Sequence, residues 1–271
     1  MIRLAVLSVL LACAASARAA EAFPRTLIFQ PLLADPRWPA FSGAMQKYSR
    51  RRGANLLWAA SFGESLPFAG SRGDERWQFG MHAAVFTIWD VKSETEELIN
   101  ADFVVGFPYT WRRGRWTGMY RLFHVSTHLG DEFVLSHPNV ARVNLSYEAL
   151  DARFSYDFDR GLRAYGGGGR MIRKYPPEIK PLFFQLGGEA LGPLFARNLL
   201  RPVAAVDLQK NENNGWGSTG VSVRAGVQMQ NLLLRTRCLQ MLFQYYRGHD
   251  PNGQFFPETV EEYGLGLHAY F

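Results

Sequence analysis

The densest group of reactive side chains in the sequence is Tyr120-Arg121-Leu122-Phe123-His124-Val125-Ser126-Thr127-His128-Leu129-Gly130-Asp131-Glu132, which joins imidazoles, hydroxyls and carboxylates in one short stretch. On a β-strand, residues two apart share a face, so His124 and Ser126 can touch. An imidazole within hydrogen-bond reach of a hydroxyl can accept its proton as the oxygen attacks a carbonyl, which is the minimum for acyl transfer. A third group must then orient the histidine. Metal binding fits less well, because His124 and His128 are four residues apart, roughly 13 Å on a strand and too far to share one ion. No metal site is expected. The run Gly166 to Gly169 beside Arg170 invites comparison with a phosphate loop, but it lacks a Gly-Lys-Ser/Thr ending and a strand-to-helix context. It reads as structural glycine within a strand.

The chemistry therefore depends on strands, and the sequence supplies them. Val221, Val223, Ala225, Val227 and Met229 alternate with Ser222, Arg224, Gln228 and Gln230, a period of two. Leu239, Met241, Phe243 and Tyr245 alternate with Gln240 and Gln244, and Val143, Leu145 and Tyr147 with Arg142, Asn144, Ser146 and Glu148. No apolar run past the first residues approaches the length of a helical membrane span. Strands of a membrane barrel need only about 9 to 11 residues, with apolar side chains outward and the other phase in the lumen. The aromatic content of 14% suits the girdles of such a barrel.

Both chain ends point the same way. Met1 to Ala20 holds one early charge, Arg3, an apolar stretch from Leu4 to Ala15, and the triplet Ala17-Arg18-Ala19. This is the pattern of a cleavable secretory signal, expected over residues 1–19. Its removal takes Cys13 and leaves Cys238 alone, so no intramolecular disulfide is expected and closure of the sheet must replace that staple. Loss of Arg3 and Arg18 also lowers the formal charge from +6 to +4, a mild, dispersed excess that gives no indication of nucleic-acid binding. At the other end Tyr263, Leu265, Leu267, Ala269 and Phe271 share one phase. Phe271, Ala269 and Gly266, with Tyr263, resemble an outer-membrane insertion signal, which implies the barrel assembly machinery as a partner.

The expected fold is all-β: residues 20–271 form one closed antiparallel transmembrane barrel in a Gram-negative outer membrane. Strands are expected near residues 41–49, 53–63, 76–88, 100–111, 115–128, 140–157, 161–172, 180–188, 202–210, 219–230, 236–247 and 260–271. Thr26 to Pro39 would be a periplasmic lead-in. With Phe271 at the periplasmic end, Arg112 to Arg115 becomes a short periplasmic turn, and Leu129–Asn139, Lys210–Ser218 and Gly248–Thr259 become outer loops. Glu64 to Asp74 is long for a periplasmic turn. The apolar phase also changes between Tyr147 and Phe154, Tyr156 and Phe158, which suggests a bulge or turn near Glu148 to Asp151.

The phrases Leu32-Leu33-Ala34-Asp35-Pro36-Arg37, Phe123-His124-Val125-Ser126-Thr127-His128-Leu129-Gly130-Asp131-Glu132-Phe133 and Arg142-Val143-Asn144-Leu145-Ser146-Tyr147-Glu148 resemble the family known as domain of unknown function 1207. Locally, His124-x-Ser126 resembles the His-x-Ser strand of outer-membrane phospholipase A and of the lipid A deacylase barrels. That resemblance implies a base and a nucleophile facing lipid near the outer rim. Thr127 stands where those families carry asparagine.

Two orientations follow. An arginine facing lipid at the midplane costs about 2 to 4 kcal/mol, so Arg121 belongs in the lumen and His124 and Ser126 turn outward. Val143, Leu145 and Tyr147 would then be their outward neighbours, and Asp131, Glu132 or Asn139 would have to orient His124. In the opposite orientation His124, Ser126 and His128 join a lumen network with Arg142, Asn144, Ser146 and Glu148, to which Arg121 was also assigned. The expected role is accordingly a non-enzymatic barrel, either a narrow pore or a structural or assembly component. The alternative is a hydrolase of outer-leaflet phospholipid or lipid A, with outer-membrane lipids as partners and calcium entering only under that alternative.

Overall fold

Strict alternation produces extended strands, and extended strands with one apolar face close on themselves to remove their edges. The computed structural model describes residues 20–49, 55–72, 75–140, 142–230 and 238–270. The expected signal segment and the terminal Phe271 lie outside the described residues. A short strand β1 (Ala20–Ala22) is followed by β2 (Phe41–Tyr48), β3 (Leu56–Ser71), β4 (Arg76–Asp90), β5 (Glu97–Arg113) and β6 (Trp116–Leu129). One helical segment, α1 (Asp131–Ser136), precedes β7 (Ser146–Asp157), β8 (Leu162–Tyr175), β9 (Leu182–Leu191), β10 (Leu200–Asn211), β11 (Gly220–Gln230), β12 (Cys238–His249) and β13 (Thr259–Tyr270). Strands β2 to β13 each pair antiparallel with their chain neighbours, and β13 pairs with β2. The result is a closed twelve-stranded barrel, with β1 added against β3.

The long segment Glu64 to Asp74 is mostly strand, since β3 runs on to Ser71. The phase change in the 140–157 region has a different cause from the one expected. β7 begins at Ser146, so Val143 and Leu145 precede it. Tyr147 points inward, where its ring meets Phe123 edge-on at 6.1 Å. The alternation of β7 is unbroken. The irregularity lies in β8, where Glu148 pairs with Arg173 and Ala149 with Met171, leaving Ile172 as the extra residue. In the glycine run of the same strand, a Cβ at Gly168 would meet the Phe184 ring and one at Gly169 the Phe183 ring. Close packing of aromatic side chains over the backbone explains those two glycines.

The lead-in from Thr26 to Pro39 enters at the end of the barrel that carries Tyr270 and continues into the lumen. Leu32 and Ala34 are fully buried, and with Phe29 and Trp38 they pack on the inward Met119 and Tyr165. Apolar side chains and hydrogen-bonding groups together hold it there: Leu33 N–H donates to Glu189 at 2.6 Å, and Arg224 donates to the Leu33 carbonyl at 2.9 Å. From the other end the β12–β13 loop also folds inward. Gly253 N–H donates to Asp102 at 3.0 Å, and Arg37 of the lead-in reaches the same carboxylate at 2.5 Å. One carboxylate thus ties both inserted segments to the wall.

At mid-height a charged network fills the lumen. Arg121 donates to Asp151 at 2.7 Å, Arg153 donates to the same carboxylate, and Arg153 Nε reaches Gln185 at 2.6 Å. Gln185 in turn donates to Asp35 at 3.0 Å and Asp207 at 2.7 Å. Removing one member of a buried ion group leaves the others uncompensated, at about 3 to 5 kcal/mol. Asp151→Ala should therefore destabilise the barrel by about that amount. Urea unfolding in detergent micelles, followed by tryptophan fluorescence, checks it; a midpoint equal to wild type would contradict the role of the network.

Candidate functional site

In β6 the odd residues face in and the even residues face out. Arg121, Phe123, Val125 and Thr127 are buried, whereas Tyr120 and Leu122 are 47% and 44% exposed. His124 and Ser126 therefore share the outer face, the orientation that the position of Arg121 requires. His128 follows them outward and meets the Phe103 ring edge-on at 5.7 Å.

The neighbouring strand supplies the group that orients His124. The β6–β7 register places His124 opposite Glu148 and Ser126 opposite Ser146. His124 Nδ1 lies 3.1 Å from Glu148 Oε1. With an ionised carboxylate as acceptor and a neutral imidazole, Nδ1–H donates and Nε2 keeps its lone pair. Ser126 stands two residues along the same face, about 7 Å away between Cα atoms, and among the described residues no hydrogen bond joins it to His124. The side chains of His124 and Glu148 are 38% and 29% exposed, so the pair lies open on the wall.

This overturns several expectations about the third group and the lumen network. Glu148 and Ser146 belong to the outward phase of β7, with Leu150 and Phe154. Arg142 and Asn144 lie ahead of β7 and are exposed. Of the residues assigned to the lumen network, Arg121 is the one that takes part in it. Asp131 and Glu132 are exposed in the first turn of α1, and Asn139 is exposed beyond it; none of them is a hydrogen-bond partner of His124. Alternation carried through Val143 and Leu145 turns Glu148 inward, whereas it faces outward beside His124. The signal that would have placed it is the even-numbered series Leu150, Phe154 and Tyr156, extended back without a break.

Among the described residues, no group of three or more His, Cys, Asp or Glu side chains is arranged to hold a metal ion.

A family model described as "Protein of unknown function (DUF1207)" matches residues 5–271. The chain belongs to the DUF1207 family. No curated protein matches it. Among solved structures, this DUF1207 chain is similar to outer membrane phospholipase A from Escherichia coli, with a TM-score of 0.58, 12% identity, and coverage of 90% of this chain and 94% of that one. It is also similar to an active-site mutant of that enzyme in which an asparagine is replaced by alanine, with a TM-score of 0.54, 12% identity, and coverage of 90% and 93%. At this identity the likeness is one of fold, and the fold is that of outer-membrane barrels.

Facing can be tested directly. In bilayer-reconstituted protein, His124→Cys and Ser126→Cys should react with a membrane-partitioning maleimide, and Val125→Cys and Thr127→Cys should not. Labelling of the second pair in place of the first would reverse the assignment.

Proposed function

We propose that this protein is an acyl hydrolase of the outer membrane, acting on ester lipids from the lipid-facing side of its wall. Ser126 is the nucleophile, His124 the base and Glu148 the group that orients it. The observation that carries this reading is the 3.1 Å contact between His124 Nδ1 and Glu148 Oε1 on the face that also bears Ser126. The fold likeness to outer membrane phospholipase A, whose active site includes an asparagine, is consistent with it. Export through the signal at residues 1–19 and insertion through Tyr263, Gly266, Ala269 and Phe271 complete the reading.

The steps follow from the groups present. Ser126 Oγ attacks the acyl carbonyl while His124 Nε2 takes the hydroxyl proton. The Glu148 carboxylate holds the ring and stabilises the imidazolium that forms. Collapse of the tetrahedral intermediate breaks the bond to the lipid alcohol, which leaves with the proton from His124. Water then attacks the acyl-serine, again with His124 as base, and fatty acid departs. Ser146, directly across from Ser126, stands where its hydroxyl can donate to the developing oxyanion. Leu122 and Leu150 form the cross-strand pair next below His124 and Glu148, and Tyr120 meets Phe154 edge-on at 5.9 Å beyond them. This apolar strip suits an acyl chain.

The test is release of fatty acid from ester lipid in mixed micelles. Ser126→Ala should lose on the order of 10⁴-fold or more. Glu148→Gln should lose roughly 10- to 1,000-fold through the misoriented ring, while its stability should change by no more than about 1 kcal/mol, as expected for an exposed pair. Equal release by wild type and Ser126→Ala, with both correctly assembled, would end the proposal. The pore alternative is opposed by the two segments that occupy the lumen, and planar bilayers should show no steady conductance.

A further inference from the structure

The outer wall beside the proposed catalytic row carries two arginines that the hydrolytic chemistry does not use. Arg173 pairs in register with Glu148, so Ser126's neighbours His124 and Glu148 and then Arg173 lie along one row across β6, β7 and β8. Its side chain is 84% exposed, and it makes a long ion pair with Glu148, Nη1 to Oε1 3.7 Å, beyond hydrogen-bond distance and open to a further anion. Arg170 pairs with Leu150 and Leu182 and is exposed on the same face. Among the described residues it has no ionic or hydrogen-bonding partner. The Ile172 bulge brings both arginines onto this stretch of wall, since without the extra residue an odd spacing of three would put them on opposite faces.

A guanidinium without a hydrogen-bonded carboxylate on a barrel's outer wall is unfavourable against hydrocarbon. It becomes favourable where phosphate is available, because guanidinium forms paired, charge-assisted hydrogen bonds with phosphate oxygens. β8 has 14 residues, more than the roughly 9 to 11 that hydrocarbon requires, so its last residues, Arg173 among them, reach the headgroup layer, and the long side chain of Arg170, three residues further in, can extend toward it from beside Leu150. Two strand spacings separate His124 from Arg173, about 10 Å between Cα atoms. The length of the arginine side chain closes much of that gap.

Building on the proposed hydrolase, we infer that Arg170 and Arg173 form a phosphate subsite, which selects phosphate-bearing ester lipids and holds their acyl carbonyl at Ser126. The phosphate can be the diester of a glycerophospholipid or the monoester of a phosphorylated glycolipid such as lipid A.

Binding separates this inference from the hydrolysis it serves. Native mass spectrometry of the full chain in detergent would measure association of dialkyl phosphatidylglycerol, neutral dialkylglycerol, and lipid A with and without its phosphates. The ether lipids cannot be cleaved by ester hydrolysis, and the lipid A arms use the Ser126→Ala background. Wild type should bind the phosphorylated member of at least one pair about tenfold more tightly, and the retained pair identifies the phosphate source. Arg170→Gln combined with Arg173→Gln should abolish that preference, while Arg170→Lys combined with Arg173→Lys should keep part of it. An undiminished preference in the glutamine variant, or no preference in wild type, would overturn the subsite even if acyl release were intact. Selective binding without acyl release by wild type from any ester lipid would support the subsite and sink the hydrolase instead.

Discussion

The ion pair between Arg121 and Asp151 sets the geometry of both faces of the wall. These two residues are directly opposed in the β6–β7 register and buried inside the barrel. His124 lies three residues beyond Arg121, and Glu148 three residues before Asp151. Because the strands are antiparallel, both offsets move in the same direction along the pair. Because three is odd, both side chains emerge on the opposite face. A charge pair in the lumen thus brings a histidine and a carboxylate together outside. A slip of one residue would expose Arg121 and bury His124, which is why the register must be strongly specified.

The lumen itself is occupied. The lead-in from Phe29 to Ala40 and the β12–β13 loop insert from opposite ends, and both reach Asp102. Gln254 of that loop adds hydrogen bonds to the carbonyls of Thr127 and Val143 at 3.0 and 2.6 Å. Arg121, Asp151, Arg153, Gln185 and Glu189 point inward and are committed to the chain's own inserted segments and to one another. The polar interior is then mainly a structural device. It gives the barrel a core despite its outward-facing apolar side chains.

The strands and their parity were legible because period two is a local property. Twelve wall strands, the short β5–β6 turn and the outward-facing phase of β11, β12 and β13 all follow from it. What was not legible depends on non-local contacts. Thr26 to Pro39 has no periodicity, and nothing in its composition distinguishes a periplasmic tether from a segment packed on Met119 and Tyr165. Val143 and Leu145 alternate as a strand does, yet they precede β7: Leu145 accepts a hydrogen bond from Thr127 N–H, and Val143 N–H donates to Gln254. Extending the strand across them put Tyr147 outside and joined Glu148 to His124 only in the orientation that turned both into the lumen. Arg121 and Asp151 carried the missing information, since two opposite charges of matching inward phase would have pinned the register.

The same two strands hold two ion pairs with opposite tasks. Arg121 and Asp151 are desolvated, so breaking them leaves charge where water cannot compensate. His124 and Glu148 are partly exposed, and a pair in that setting adds little to stability. In the proposed reaction its value lies in direction: a carboxylate that accepts from Nδ1 selects the tautomer that leaves Nε2 free to take the Ser126 proton. Stability stored inside the barrel therefore lets the outer pair remain accessible without having to support the fold. In the proposed hydrolase, a lipid arriving from the membrane would meet an oriented histidine on one face of the wall while the buried Arg121–Asp151 pair supports the other.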